Sequence, residues 1–128
     1  MNLNTTESQN NFTEEDSQSL IDIAGQTLAD NKAEDVVVLD LRELTTLADY
    51  FVICNGLSDV HVKSLSRDVI SAVKEQSGQK PWRKEGIEAR RWVVLDYVNI
   101  VVHIFKRDAR EHYGLEKMWS DAKLTRVE

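Results

Sequence analysis

Apolar residues recur along the chain in two patterns, one helical and one extended. Leu20, Ile21, Ala24 and Leu28 stand three and four apart and predict a helix with one buried stripe. Thr13 is placed to cap it, and Glu14, Glu15 and Asp16 follow in the first turn, where carboxylates meet the positive end of the helix dipole. Val36 to Leu41 (VVVLDL) and Tyr50 to Cys54 (YFVIC) are short and β-branched, and predict strands buried on both faces. Asn55-Gly56 ends the second strand. Ser58 then caps a helix whose stripe is Val62, Leu65, Val69 and Val73, with Gly78 as its stop.

Arg90 to Phe105 (RRWVVLDYVNIVVHIF) holds the densest β-branched and aromatic run, broken once between Asp96 and Asn99, and predicts a hairpin. Asn99 tolerates the left-handed conformation better than its neighbours, so a three-residue loop ending there is expected. Asp96 then pairs with Ile100, Val94 with Val102, Val93 with His103 and Trp92 with Ile104. One face carries Trp92, Val94, Val102 and Ile104; the other carries Val93, Leu95, Val101 and Phe105 with His103. Beyond the hairpin, Asp108 is expected to cap a short helix through Tyr113. Gly114 breaks it, and Leu115, Met118 and Trp119 form one small apolar face. The polar ends are expected to be flexible, 1–13 at the start and 121–128 at the finish, flanking one domain over 14–120.

Helix, strand, strand, helix and hairpin give an α/β domain with a mixed sheet of about five strands and helices packed on it. Both sheet faces are apolar while long helices are few, so part of the sheet is expected to remain uncovered for a partner or a second copy. Composition adds to this reading through charge. The net of -6 argues against general affinity for nucleic acid. Residues 1–77 carry 14 acidic and 5 basic side chains, and residues 78–128 carry 8 acidic and 11 basic, so any basic contact surface belongs to the C-terminal half. Cys54 is the single cysteine, which excludes an internal disulfide and fits a reducing compartment. No apolar run approaches the roughly 20 residues of a membrane span. The first basic residue is Lys32, against a signal or transit peptide, and the expected location is cytoplasmic.

Candidate chemistry is sparse. Asn55 to Ser58 is a Gly turn before a capped helix, a weak match to an anion site since neither a G-x-G-x-x-G nor a P-loop pattern is present. Cys54 and His103 could form a nucleophile and base, but a Cys and a His within apolar strands are more often core groups. Ser58, Asp59 and His61 read as local helix-start structure. His61, His103 and His112 come from separate elements without metal-ligand spacing. Trp82, among Lys80, Arg83 and Lys84, more often packs its ring on the domain and is a minor interface candidate.

Several separated motifs resemble the Iojap or ribosomal silencing factor (RsfS) family. They are Asp40-Leu41, Ala48 to Ile53, Gly56, Ser58, His61-Val62, Trp92 to Tyr97, Ile100 to Phe105, and the finish Arg110, Tyr113, Leu115-Glu116 and Trp119, an R-x-x-Y-x-L-E-x-x-W pattern. The resemblance spans roughly Leu20 to Ser120. It implies a nucleotidyltransferase-like topology without catalytic motifs, homodimers, no enzymatic activity and no cofactor. It further implies docking on the large ribosomal subunit through large-subunit ribosomal protein fourteen, which blocks small-subunit joining and represses translation. Motif by motif, it places the contact at Trp92, Asp96, Tyr97 and Val98, with Asp49, Tyr50 and His103 as weaker candidates. Val98 departs from the glycine common there in the family. The alternatives are a nucleotidyltransferase-like enzyme and a homodimeric adaptor. The enzyme needs two carboxylates one residue apart after a Gly-Ser turn, and Gly56-Leu57-Ser58 is followed only by Asp59 and Asp68.

Overall fold

A reciprocal capping box opens the first helix, α1 (Glu14–Asp30): the Asp16 N–H donates to the Thr13 hydroxyl while the Thr13 N–H donates to the Asp16 carboxylate. The computed structural model describes residues 12–128, so most of the expected N-terminal tail lies outside the described residues. Strands β1 (Glu34–Asp40) and β2 (Tyr50–Gly56) follow, then helix α2 (Asp59–Ser77). Ser58 caps α2 by accepting from the His61 N–H, and Gly78 closes it at φ +76°, as the sequence predicts. Strands β3 (Arg83–Glu85), β4 (Trp92–Asp96) and β5 (Ile100–Lys106) lead into the short helices α3 (Arg107–Tyr113) and α4 (Leu115–Met118), and β6 (Lys123–Arg126) ends the chain.

The described residues form one six-stranded sheet in the order β3-β4-β5-β2-β1-β6. Neighbours run antiparallel except β2 and β5, which are parallel at the centre. Helices α1 and α2 cover one face, burying Leu20, Leu28, Val62, Leu65, Val69 and Val73 against Val52, Cys54, Val93, Leu95, Val102 and Ile104. A smaller cluster lies on the other face, where Ala109 of α3 and Leu115 of α4 pack on Val37, Leu39, Ile53 and Phe105. The chain is therefore a mixed α/β domain with six strands, one more than expected.

The sixth strand corrects the reading of the C-terminus. Lys123–Arg126 was expected to fray, yet it pairs with Val37 to Asp40 of β1. Without it the β1 edge would present unpaired N–H and C=O groups. Its exposed, polar composition suits an edge, and Val127 anchors the end, donating its N–H to the Val36 carbonyl and packing beside Gly25 of α1.

The hairpin exists with a register one residue from the expected one. Asp96 pairs with Val101 and Trp92 with Phe105, which moves the β5 residues to opposite faces from those predicted. Val98, not Asn99, takes the left-handed conformation, at φ +75°. The Asp96 carboxylate accepts the Val98 N–H at 2.8 Å, and the Tyr97 N–H donates to the Ile100 carbonyl, so the loop is Val98-Asn99. Two smaller expectations also change. The chain passes from β5 into α3 directly, so Lys106 holds the cap position without a side-chain cap and Asp108 sits in the first turn. Met118 stays 72% exposed while Leu115 and Trp119 pack inward.

Ending the chain after Ala122 should lower unfolding stability by on the order of 2 kcal/mol, from lost strand pairing and lost burial of Val127. A urea titration compared with the full chain measures this; an unchanged midpoint would show that β6 contributes nothing.

Candidate docking site

The strand register sets the face opposite α1 and α2 in cross-strand rows. One row runs Arg83, Asp96, Val101, Phe51, Leu39 and Leu124; the next runs Glu85, Val94, His103, Ile53, Val37 and Arg126. Trp92 and Phe105 lie beyond, stacked at 5.0 Å between ring centres, with Tyr113 of α3 at 4.8 Å from Trp92. Trp119 meets Phe51 edge-on at 6.2 Å. These aromatics and α3–α4 roof the rows only in part. Phe51, Val94, Val101 and Asp96 remain half-buried, an apolar strip with a carboxylate at one end.

The roof is fastened by Arg110. Its guanidinium grips both Glu116 carboxylate oxygens at 2.9 and 3.1 Å and donates to the Asp35 carbonyl and to Asn55 Oδ1. Arg107 grips Glu34 in the same bidentate way beside it, which holds the Glu34 carboxyl below its usual range. Four members of the R-x-x-Y-x-L-E-x-x-W pattern, with its Glu, thus have positions in one lid: the ion pair, Tyr113 on Trp92, Leu115 in the core and Trp119 on Phe51.

Beneath the strip lies His103. The Trp92 indole N–H donates to His103 Nδ1 at 3.0 Å, and an indole can only donate, so Nδ1 is bare and the ring proton sits on Nε2. Nε2 is buried without a protein partner, and the ring rests edge-on against Phe51 at 4.5 Å. Burial pushes its pKa down to about 3. His103 thus orients Trp92 and is covered by the surface it supports.

The sequence-predicted residues divide by position. Trp92, Asp96 and His103 share the strip's face. Val98 is exposed at the turn, and Asp49 lies beside it, its N–H donating to the Asn99 carbonyl at 2.7 Å. Tyr97 and Tyr50 face α1 and α2 instead and are buried, which removes them from the surface. Burial raises both phenols to about 12, and the Tyr50 hydroxyl donates to Glu14 of α1 at 2.5 Å. Phe51, Val94 and Val101 were not among the predicted residues; strand alternation with the correct register would have placed them on this face. Trp82, expected to pack inward, is 70% exposed, with the Arg83 guanidinium 5.2 Å from its ring centre.

Cys54, His61, Asn55 and Asp59 take structural roles. Cys54 pairs with Ile104 and faces the helices, so the sheet separates it from His103, and burial raises its thiol to about 12. His61 Nδ1 accepts the Leu57 N–H and its Nε2 meets the Asn31 carbonyl at 2.8 Å, tying the turn at Asn55–Ser58 to the end of α1. Asn55 is engaged by Glu34 and Arg110, and Asp59 by Lys106. Among the described residues, no three His, Cys, Asp or Glu side chains converge as a metal set, and no helix is long and apolar enough to cross a membrane.

The fold is thus an α/β sheet domain whose second face carries a half-buried apolar strip beside a fastened lid. The family model for the ribosomal silencing factor during starvation matches residues 14–128. The chain is 39% identical over 107 residues to the ribosomal silencing factor RsfS of Bacillus subtilis, covering 84% of this chain and 90% of that protein. It is 30% identical over 102 residues to the mouse mitochondrial assembly of ribosomal large subunit protein 1, covering 78% of this chain and 45% of that one. A crystal structure of a Chromobacterium violaceum protein superposes with a TM-score of 0.77 at 32% identity, over 80% of this chain and 85% of that one. The chain belongs to the ribosomal silencing factor RsfS family.

Two predictions follow from the geometry of this surface. His103 binds its proton more readily unfolded (ordinary value 6.5) than folded (about 3), so stability is complete above pH 6.5 and falls as pH drops toward 3. The His103 share of that slope approaches 1.4 kcal/mol per pH unit, and His103→Gln should flatten the urea midpoint between pH 6.5 and 5. Val98→Gly relieves a β-branched residue at positive φ and should raise stability by about 1 kcal/mol, read as a higher melting temperature.

Proposed function

We propose that this chain docks on the large ribosomal subunit through large-subunit ribosomal protein fourteen and prevents the small subunit from joining, so that translation is repressed. The observation that carries the reading is the half-buried strip of Phe51, Val94 and Val101 ending at Asp96, an apolar surface flanked by charge. A contiguous apolar patch of this kind supports a protein contact. Family membership supplies the ribosome, and the mouse relative is named for the large subunit.

The mechanism is steric and asks for no bond making. Trp92 is held by its hydrogen bond to His103 and by ring contacts with Phe105 and Tyr113, so the rim of the strip is ordered before the partner arrives. A pre-ordered surface loses less entropy on binding than a mobile one. The acidic N-terminal half complements a basic ribosomal protein at long range, and Asp96 places a negative group at the contact itself. Docking on large subunits accords with the expected cytoplasmic location.

Co-sedimentation with separated subunits tests the reading. Val94→Lys places an ammonium in the middle of the strip and should weaken large-subunit binding at least about tenfold. Leu124→Lys, an exposed position on the same face at the far edge of the sheet, should bind normally. Undiminished binding by the folded Val94→Lys variant would remove the strip from the contact, and migration of the protein with joined ribosomes would contradict the steric block.

A further inference from the structure

Three apolar side chains from separate segments meet at the β4–β5 turn and leave one another uncovered. Leu47, from the β1–β2 connection, is 79% exposed; Trp82, just before β3, is 70% exposed; Val98, at the turn, is 56% exposed. With Asp96 they line an open concavity of about 370 Å³. Its walls are apolar and its one charged lining group is a carboxylate.

That combination selects its guest. A wholly apolar side chain would fill the walls but strip water from Asp96 without replacing it. A phosphate would meet the carboxylate's repulsion, which disfavours RNA at this point. A long aliphatic stem with a cationic head satisfies both parts: the stem lies against Leu47 and Val98, while the head reaches the Trp82 ring and the carboxylate. The chain's own Arg83 demonstrates the attraction. Its guanidinium lies 5.2 Å from the Trp82 ring centre, and its Nη2 stands 3.6 Å from Asp96 Oδ2. That distance is too long for a good hydrogen bond, and Arg83 is held closer by Glu85, at 3.1 Å. Asp96 Oδ1 is used by the Val98 N–H, which leaves Oδ2 able to accept a better-placed donor.

Val98 supplies the second argument. A β-branched side chain at φ +75° is strained, and here it buries little in return. Its methyl groups become useful when a partner covers them.

We propose that this pocket seats a lysine or arginine side chain of the protein on which the chain docks. The proposal rests on the docking reading above and deepens it, because Asp96 belongs to both the strip and the pocket. The incoming cation takes over the Trp82 face and Asp96 Oδ2 from Arg83. Leu47, Trp82 and Val98 thereby add a second contact to the strip, and Arg83 acts as an internal competitor.

The test measures affinity of the full chain for purified large subunits, with melting curves confirming each fold. Trp82→Ala should weaken binding about tenfold. Arg83→Ala, which frees the ring and the carboxylate, should tighten it about threefold. Val98→Gly should bind more weakly although it melts higher. Unchanged binding by Trp82→Ala overturns the pocket, as does unchanged or weaker binding by Arg83→Ala, the latter making Arg83 itself the contact. If Val94→Lys abolishes binding while Trp82→Ala does not, the docking reading stands and the pocket falls. If neither changes binding, both fall.

Discussion

The Arg110 guanidinium is the interaction on which the shape of the sheet face opposite α1 and α2 depends. It joins the β1 backbone at Asp35, the end of β2 at Asn55 and helix α4 at Glu116. Two of these are neutral acceptors and one is a carboxylate gripped with both oxygens, and the Arg110 side chain is only 13% exposed. Removing one partner from such a cluster leaves the others desolvated and unmatched, a loss of about 3–5 kcal/mol for a buried pair. The partial exposure places this one toward the lower end. The spacing of Arg110 and Glu116 makes sense through Gly114, whose φ of +62° turns the chain between α3 and α4 so that the two side chains meet. A lid placed this way decides where cover ends and the open strip begins.

The remainder of the face works by fixing aromatic rings in relation to a neutral histidine. Gly86 shows how close the packing is: at φ +79°, an added Cβ would fall 2.0 Å from the Trp92 carbonyl oxygen. The β3 approach therefore lies directly against β4, and Trp92 is confined from its backbone as well as from its ring. His103 could not serve here if charged, since two N–H donors would then face an indole donor and an apolar wall. Burial keeps it neutral, which makes the histidine a structural acceptor.

Much of this fold was legible in the sequence, for identifiable reasons. The stripes of α1 and α2, their caps at Thr13 and Ser58, and the strand runs at Val36 and Tyr50 agree at the level of propensity, spacing and termini, so local rules sufficed. The hairpin was visible, but its register depended on which residue took positive φ. Local preference favours Asn99; the Asp96 carboxylate, by accepting the Val98 N–H, overrides it. That one residue inverted the faces of β5 and hid Phe51, Val94 and Val101 as a strip. Tyr97 and Tyr50 were drawn into the contact by motif matching, whereas alternation puts them under the helices. Strand β6 was illegible because edge pairing is chosen by the partner strand and demands little of the sequence that joins it. Family membership could be read from the motifs, while the geometry of the surface needed the register.

The central parallel pair carries a consequence for how the protein is made. Strands β1 and β2 form one antiparallel unit, β4 and β5 another, and the two halves meet at β2 and β5, separated by α2 and β3 along the chain. Each hairpin closes through contacts near in sequence, whereas the seam requires a long excursion to be completed first. Phe51 comes from one side of the seam and Val94 and Val101 from the other. The exposed surface is accordingly a product of the finished chain. A nascent chain still threaded through the ribosome that made it would hold only one side of the strip, and the assembled surface would emerge after the C-terminal half has been released and joined.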